Sequence, residues 1–270
     1  MPAGLLANKT AIITGGTTGI GRAICLEFLR QGANVVVNHL GLEKDQVHLD
    51  SLIAEADEIR KASPTAGHLE HQEGDVRDPA TATDLVKKAV EHSTKKRLDV
   101  CVSNAGICTF ADFLTLEPDL LHSTVRTNLD GAFYVTQAAA RQMALHQEPK
   151  GGSIIGVSSI SALVGGGQQT HYTPTKAGVL SLMQSTACAL GEHGIRCNAL
   201  LPGTIRTQLN DADLADDTKR AYMEGRIPLG RTGSPSDMAG PAVFLACPEL
   251  SGYVTGAQLL VDGGLFVNLQ

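Results

Sequence analysis

The sequence predicts an α/β fold: a single doubly wound parallel sheet of seven strands with helices on both faces. Short apolar runs rich in β-branched residues alternate with longer helical segments along nearly the whole chain, as in parallel sheets. A glycine-rich turn joins the first apolar run to the first helical segment. The length of 270 residues, 43% of them apolar, suits one large domain spanning 1–270.

Composition narrows the classes of partner that we expect. A formal net charge of −6 argues against a nucleic acid or an anionic membrane as partner. No apolar run approaches the roughly 20 residues of a spanning helix, and neither terminus carries a targeting signal, so we expect a cytoplasmic protein. Six cysteines form no C-x-x-C pair and nine histidines form no ligand cluster, so we expect no metal.

The first strand, 9–14, leads into the glycine-rich turn and a helix over about 22–31. Such a turn points backbone N–H groups and a helix N-terminus at a phosphate. The strict G-x-G-x-x-G spacing is absent, so a tight turn without a ligand is the alternative. The residues predicted to bind a cofactor here are Gly15, Thr17, Thr18, Gly19, Ile20 and Gly21.

The second strand, 33–38, ends where such folds distinguish NAD from NADP. An acidic residue there binds the ribose 2′-hydroxyl of NAD, and a basic one favours the 2′-phosphate of NADP. The chain has Asn38-His39-Leu40 and therefore neither device. Neutral donors from Thr17, Asn38 and His39 could hold a phosphate that no carboxylate repels, so we favour NADP, with NAD tolerated.

The next two strands end in further candidate cofactor residues. After a helix over 46–61, the third strand, 68–72, leads to Asp75, which suits an adenine amino group or, equally, a helix or turn cap. After a helix over 80–92, the fourth strand, 98–103, opens onto Asn104-Ala105-Gly106, where small residues let a ligand ring approach the backbone.

The second half of the chain continues the alternation. A long helix over 118–146 carries Asn128 in its apolar face, and a surface position is the alternative for that residue. The fifth strand, 152–158, delivers Ser158 and Ser159 at its carboxyl end, where open parallel sheets bind ligands. The later predicted elements are a helix over 172–191, a strand over 195–200, a helix over 235–247 and a strand over 258–261.

Tyr172 and Lys176 form the predicted acid–base pair. Residues four apart lie on one face of a helix. A nearby ammonium lowers the pKa of a phenol from its usual ~10 toward the range that suits a general base. Ser159 stands thirteen residues earlier, and the other three tyrosines lack a lysine four residues on.

The segment 206–226 is polar and acidic with a weak helical pattern. We predict a mobile lid at about 204–228, and a solvated pair of surface helices is the alternative.

Together these residues resemble the short-chain dehydrogenase/reductase family over nearly the whole chain. The motifs that carry the resemblance are Thr14-Gly15-x-x-x-Gly19-x-Gly21, Asp75, Asn104-Ala105-Gly106, Asn128, Ser159, Tyr172-x-x-x-Lys176, Pro202-Gly203 and Asp262-Gly263-Gly264. The resemblance implies a Rossmann sheet in the order 3-2-1-4-5-6-7 and an NAD or NADP cofactor. It also implies a homotetramer paired partly through the long helices 118–146 and 172–191.

The resemblance also implies roles for single residues. Tyr172 is the acid/base, Lys176 lowers its pKa and holds the nicotinamide ribose, Ser159 hydrogen-bonds the reacting oxygen, and Asn128 positions a water in a proton relay. The further cofactor residues are Val76, Asn104, Ala105, Gly106, Pro202, Gly203, Ile205 and Thr207. Ser103 stands where the family usually has a second Asn, and Pro174 replaces a small residue.

A polar pocket predicts a small-molecule substrate. Its candidate residues are Cys108, Ser161, Gln168 or Gln169, and His171, and the chain has no Trp and only 4 Tyr and 6 Phe. Segments 36–40 and 260–270 are similar to those of sugar 1-dehydrogenases, in particular those acting on L-rhamnose. The hypothesis is oxidation of an aldose at C1 to its lactone. The alternatives are NADPH-dependent reduction of ketones or 3-oxoacyl groups, and a non-catalytic dinucleotide-binding protein.

Overall fold

A computed structural model describes residues 4–268 of the chain, without the side chains of residues 212 and 213. The outermost residues at each terminus, and the side chain of Asp213 in the predicted lid, lie outside the described part.

The described residues form one parallel sheet of seven strands in the order β3-β2-β1-β4-β5-β6-β7, which confirms the predicted order. The strands are β1 Thr10–Thr14, β2 Asn34–His39, β3 Leu69–Glu73, β4 Val100–Ser103, β5 Gly152–Val157, β6 Ile195–Pro202 and β7 Gln258–Val261. The central strands β1 and β4 are buried along their whole length because helices cover both faces of the sheet.

Ten α-helices accompany the sheet in the described part of the chain. They are α1 Gly19–Arg30, α2 Gln46–Ala62, α3 Pro79–His92, α4 Pro118–Val125, α5 Gly131–Leu145, α6 Thr173–Leu190, α7 Asp211–Leu214, α8 Asp217–Gly225, α9 Ala239–Ala246 and α10 Pro248–Ser251. One apolar core joins the sheet to α1 and α9, and a second core on the opposite face joins it to α3, α5 and α6. Two buried layers therefore hold the strands in register.

The long helix predicted over 118–146 is present but is not a regular α-helix. A π-helical turn, Arg126–Asp130, separates α4 from α5 without breaking the helical path. Such turns often occur at functional sites because the wider ring redirects a side chain. Asn128 lies in the middle of this turn.

The strand order reverses between β1 and β4, so the loops after these two strands diverge and leave a crevice at the carboxyl edge of the sheet. The glycine turn, the 104–106 loop, Ser159 and the start of α6 all lie at this edge. The topology therefore gathers most of the predicted site from distant parts of the sequence.

The predicted lid segment contains α7 and α8. Leu214 and Ile227 are buried, 2% and 4% exposed, whereas no residue of α8 is buried. The segment is thus fixed at two apolar points with a solvated helix between them. Among the residues described, no helix has both the length and the apolar character needed to cross a membrane.

Candidate active site

Tyr172 and Lys176 lie at the start of α6, beside the carboxyl end of β5. Tyr172 immediately precedes the helix, and Pro174 fits its first turn because a missing N–H costs nothing there. The Lys176 Nζ lies 5.6 Å from the centroid of the Tyr172 ring and donates to the Val157 carbonyl at 3.0 Å. The Ser158 hydroxyl donates to the Lys176 carbonyl at 2.7 Å, so β5 holds both ends of this lysine.

Ser159 connects β5 to the phenol. Its hydroxyl is hydrogen-bonded to the Tyr172 side chain and also accepts the backbone N–H of Ser161 at 3.0 Å. Ser161 therefore lies next to Ser159, and its contact there is through the backbone N–H. A substrate oxygen could lie between the two hydroxyl groups of Ser159 and Tyr172.

The predicted lowering of the Tyr172 pKa is not found in this structure. Burial raises the pKa of the Tyr172 phenol well above its usual value, the neighbouring Cys108 adds to the rise, and only the hydrogen bond from Ser159 opposes it. Lys176 interacts mainly with the Val157 carbonyl, and burial lowers its own pKa to about 8. Removal of water from this pocket outweighs the sequence-level argument from one nearby charge.

Asn128 is buried, 1% exposed, and the surface alternative is wrong. Its Oδ1 accepts the Ile107 N–H at 2.8 Å, and its Nδ2 donates to the Ile107 carbonyl at 2.9 Å and to the Thr175 hydroxyl at 3.2 Å. A β-carbon on Gly106 would lie 3.2 Å from Asn128 Oδ1 and 3.4 Å from Lys176 Nζ, so only a glycine leaves this space open.

Thr175 is a site residue that the sequence reasoning missed. Its hydroxyl is buried, donates to the Tyr172 carbonyl at 2.7 Å and accepts from Asn128. It thereby links the π turn to the backbone of the catalytic tyrosine candidate. Its position next to Lys176 in the motif was the available signal, but only the fold reveals its partners.

The glycine turn fits a phosphate-binding site. Gly15 and Gly19 have φ angles of +61° and +53°, which favour glycine. Thr18 caps α1 without a side-chain hydrogen bond, and the first turn of α1 contains no acidic residue. The first N–H groups of the helix are thus available to an anion. Within the turn, Thr17 is buried, Ile20 packs against the core, and a β-carbon on Gly21 would collide with the Gly15 carbonyl.

The loop after β4 lies against this turn. The Asn104 side chain donates to the Thr14 and Gly15 carbonyls at 2.9 and 3.0 Å, and the backbone N–H groups of Asn104 and Ala105 both donate to the Thr14 hydroxyl. These bonds hold the glycine turn and the 104–106 loop together at the crevice. Gly106, at the end of this loop, lies close to the side chains of Asn128 and Lys176.

A pocket of about 130 Å³ lies between the glycine turn and the end of β2, where an adenosine ribose would bind. It is lined by Gly15, Thr17, Thr18, His39, Leu40, Leu42, Asp45, Gln46 and Leu49. The Asp45 carboxylate contradicts the prediction that no acidic group opposes a 2′-phosphate there. Asp45 lies six residues beyond β2 in a short 3₁₀ turn, so its position depends on the fold of the 40–46 loop.

Asn38 does not serve as the predicted phosphate donor. Its side chain is buried, and its Nδ2 donates to the Gly74 carbonyl at 2.8 Å, which joins β2 to the loop after β3. Successive side chains of a strand point to opposite faces of the sheet, and the side chain of Asn38 lies in the interior of the protein. His39, the next residue, does face the pocket.

The Asp75 carboxylate accepts the Arg77 backbone N–H and forms a bidentate pair with the Arg77 guanidinium. This pair lowers the pKa of Asp75. In this structure the Asp75 carboxylate therefore caps a turn, which was the alternative to binding an adenine amino group. Val76 is buried against Gly131 at the start of α5.

The residues after β6 close the other side of the crevice. Gly203 approaches Asp262 so closely that a β-carbon would lie 2.6 Å from the Asp262 Cβ. Thr207 lies beside Gly19, whereas the Ile205 side chain is buried in the core. Pro202, the last residue of β6, is buried as well, so only its backbone and that of Ile205 could face a ligand.

The candidate substrate residues separate into three groups. Cys108 is half-buried and accepts a hydrogen bond from the Gln169 side chain at 3.3 Å, near Tyr172 and Lys176. Gln168 is exposed and donates to Asp112, so of the two glutamines Gln169 is nearer the phenol. His171 is only 1% exposed, and neither ring nitrogen has a hydrogen-bond partner or contact with solvent. The prediction that His171 lines an open pocket is therefore wrong.

Within the described residues, no group of three or more His, Cys, Asp or Glu side chains is arranged to hold a metal ion.

Comparison with known proteins gives one family and several relatives over the full length. A family described as enoyl-(acyl carrier protein) reductase matches residues 15–266. The L-rhamnose-1-dehydrogenase of Scheffersomyces stipitis is 59% identical over 267 residues, which cover 99% of each chain. The L-rhamnose 1-dehydrogenase (NAD(P)+) of a Sphingomonas species is 54% identical and covers 98% of this chain and 99% of its own. Relatives named 3-oxoacyl-(acyl-carrier-protein) reductase, from Chlamydia pneumoniae and Thermotoga maritima, are 36% and 35% identical.

Solved structures agree in fold. A short-chain type dehydrogenase/reductase from Mycobacterium marinum is 31% identical, with a TM-score of 0.82 over 96% of both chains. A gluconate 5-dehydrogenase from Burkholderia cenocepacia, in complex with NADP and tartrate, is 30% identical, with a TM-score of 0.85 over 97% of this chain and 96% of that one.

Proposed function

Because the chain belongs to the short-chain dehydrogenase/reductase family and is an NAD(P)-dependent oxidoreductase, we propose that it oxidises L-rhamnose, or a closely similar aldose, at C1 to the lactone. The observation that carries this proposal is the identity of 59% and 54%, over nearly whole chains, to proteins named L-rhamnose 1-dehydrogenase. Identity to the two 3-oxoacyl reductases is lower, at 36% and 35%, which disfavours that alternative.

Tyr172 is the proton acceptor in the proposed reaction. The sugar hydroxyl at C1 lies between Ser159 and Tyr172, whose side chains are hydrogen-bonded to each other in the free protein. Ser159 donates to the reacting oxygen and fixes its position, and the Tyr172 oxygen takes its proton. In the reverse direction Tyr172 returns the proton to the carbonyl oxygen.

Lys176 and Asn128 support this proton transfer. The Lys176 ammonium is held at the pocket by Val157, 5.6 Å from the centroid of the Tyr172 ring. Although burial dominates the pKa of Tyr172 in the free protein, a positive charge on this side of the ring favours the phenolate over the phenol. Asn128 and Lys176 converge on the open space beside Gly106, which suits a water that relays a proton to Lys176. The relay is supported by this convergence and by the burial of both side chains.

The residues of the crevice fit NAD or NADP. The uncapped start of α1 and the left-handed glycines suit the pyrophosphate. When bound, NAD or NADP would supply the hydride acceptor for the carbon that carries the reacting hydroxyl. The protein supplies position, a hydrogen-bond donor at Ser159 and a proton acceptor at Tyr172.

Other features belong to the same proposal. Residues 204–228 act as a lid, supported by two buried anchors on either side of a solvated helix.

Cys108, Ser161 and Gln169 supply polar groups near the sugar, supported by their proximity to Ser159 and Tyr172. The enzyme works in the cytoplasm as a homotetramer that pairs partly through α4, α5 and α6.

The experiment is a panel of aldoses, with L-rhamnose first, assayed by nicotinamide absorbance with NAD+ and with NADP+. We expect turnover of L-rhamnose with both cofactors. Silence across the panel together with reduction of a 3-oxoacyl substrate by NADPH would replace the sugar with the ketone alternative.

Replacement of Tyr172 by Phe tests the acid–base role. Phenylalanine keeps the ring and removes the proton acceptor, so we expect kcat to fall by about 10²- to 10⁴-fold while nucleotide binding, measured by calorimetry, is retained. Tyr253→Phe is the matched control, because this tyrosine is fully exposed and far from α6 in sequence. A Tyr172→Phe enzyme with undiminished turnover would contradict the role.

A further inference from the structure

Two histidines meet at the edge of the ribose pocket. His39, at the end of β2, lines the pocket, and its Nε2 lies 3.1 Å from Nδ1 of His71 on the neighbouring strand β3. The two ring centroids are 5.3 Å apart, and the planes are tilted by 46°. The Gly41 backbone N–H donates to Nδ1 of His39 at 3.1 Å, so both nitrogens of His39 have partners.

These contacts fix the protonation of His39. A backbone N–H can only donate, so Nδ1 of His39 is an acceptor and carries no proton. Nε2 then carries the proton and donates to Nδ1 of His71. A second proton on His39 would place two donors face to face at Gly41. His39 can therefore become a cation only if the Gly41 bond opens and the new N–H finds another acceptor.

The surrounding charges act in both directions. The ammonium of Lys88 on α3 opposes a positive charge on His39, and the Glu73 carboxylate on β3 favours it. Asp45, in the 3₁₀ turn, lines the same pocket. Arg22 on α1 is paired with Glu55 on α2 at 3.1 Å and hydrogen-bonded to Ser51, so its charge is already compensated. Burial is the largest cause that lowers the pKa of His39 in the free protein.

We propose that His39, positioned by His71, sets the choice between NADP and NAD, because the 2′-phosphate of NADP binds with uptake of a proton by His39 whereas the 2′-hydroxyl of NAD does not. The phosphate accepts the new Nδ1–H of His39 in place of the Gly41 contact, and its charge compensates the imidazolium. His71 is a positioning residue here: it accepts the Nε2–H of His39, so the proton that is taken up goes to Nδ1. The inference rests on the proposed function only for the location of the ribose in this pocket.

Both histidines should then support the preference for NADP. His39→Asn removes the group that takes up the proton. His71→Leu removes the acceptor of the Nε2–H, whereas His71→Asn keeps an oxygen that can accept it. We expect His39→Asn and His71→Leu to lower the preference for NADP and His71→Asn to retain it. A merely structural role for His71 predicts loss of affinity for both nucleotides.

The test is calorimetric titration of the full-length enzyme with NADP+ and with NAD+, without sugar, at pH 7 to 8.5. Calorimetry suits this chain because it has no tryptophan to report binding. The 2′-phosphate, whose second pKa is about 6 by analogy with other phosphate monoesters, stays dianionic over this range. Titration in two buffers of different ionisation enthalpy counts the protons taken up.

We expect the ratio of NADP+ to NAD+ affinity to fall about three- to tenfold from pH 7 to 8.5, with proton uptake only for NADP+. His39→Asn should abolish both, and His71→Leu should lower the ratio at pH 7 by about three- to tenfold, whereas His71→Asn should retain it. His68→Asn is the matched control, because this histidine directly precedes β3, at the amino end of the strand and away from the ribose pocket.

A ratio independent of pH in the native enzyme, an unchanged pH dependence in His39→Asn, or an unchanged ratio in His71→Leu would overturn the proposal. Because nucleotide binding is measured without sugar, these outcomes are separate from those of the aldose panel.

Discussion

The buried charge of Lys176 serves the proposed reaction but lowers the stability of the folded protein. The side chain is buried within a helix, donates to the Val157 carbonyl, and has its pKa lowered by burial to about 8. At neutral pH it is still mainly charged, as its proposed role requires. The cost of burying that charge is therefore built into the folded protein.

We expect Lys176→Met to abolish turnover and to change how stability depends on pH. The free lysine pKa is 10.5, and the folded value is about 8. Below pH 8 both states are protonated, and the native protein carries the full cost. Between pH 8 and 10.5 the folded lysine loses its proton first, so the native protein gains stability relative to the variant. At 1.36 kcal/mol per unit, the gain is about 3 kcal/mol.

Denaturant unfolding of both proteins at pH 7.5 and at pH 10.5 measures this difference, and constant effects such as the lost Val157 bond cancel in the comparison. Lys61→Met, on the exposed surface of α2, is the control and should show no such change with pH. A stability difference between Lys176→Met and the native protein that is the same at both pH values would contradict the argument.

At this scale the sequence identified the residue types but not their environments. Ser159, Tyr172 and Lys176 were found because their spacing is local and distinctive. The direction of the Tyr172 pKa was missed because desolvation depends on tertiary packing. The orientation of Asn38 and the approach of Asp45 depend on the loops after β2 and β3, which have no periodic pattern to read.

At the scale of elements, the π turn joins the long helix to the site. Asn128 makes two hydrogen bonds to the backbone of Ile107 and one to Thr175. Since Thr175 in turn bonds the Tyr172 carbonyl, the turn, the loop after β4 and the start of α6 form one hydrogen-bonded unit. The wider turn is what brings the Asn128 amide to Ile107.

We expect Asn128→Leu, of similar size, to destabilise the protein by about 2–4 kcal/mol, because it leaves the partly buried N–H and C=O of Ile107 and the buried Thr175 hydroxyl without the Asn128 side chain as partner. We also expect kcat to fall, because Thr175 and Tyr172 lose a fixed neighbour. Chemical denaturation and initial rates measure the two effects. Gln137→Leu, exposed on α5, should change the stability by no more than about 0.5 kcal/mol. Equal stability of the two variants would contradict the role of the π turn in holding Ile107 and Thr175.

The elements themselves were largely predictable. All seven strands were predicted, most of them from apolar runs, although β3 is largely polar. Most boundaries agree within one or two residues because turns and caps mark them. The π turn was not predictable, since the sequence there continues an ordinary helical pattern and the extra residue in the turn is stabilised by contacts with Ile107.

At the scale of the molecule, the parallel sheet brings four distant segments to one edge. The glycine turn, the 104–106 loop, Ser159 and the start of α6 each follow a strand or begin a helix beside one. A single chain therefore contains every residue of the proposed reaction. Oligomer formation would bury other surfaces, and several large apolar side chains are exposed around α4 and α5.

The proposed tetramer can be tested on this surface. Phe133 on α5 is 45% exposed and packs edge-to-face on Tyr134, with ring centroids 6.4 Å apart. If α5 pairs with its copy, Phe133→Glu places like charges in an apolar interface, which charged residues seldom occupy. We expect light scattering after gel filtration to give about four times 28.3 kDa for the native protein and a smaller mass for Phe133→Glu. Val47→Glu, 64% exposed on α2, is the matched control and should keep the native mass. A native monomer, or a Phe133→Glu variant of native mass, would exclude α5 as the pairing surface.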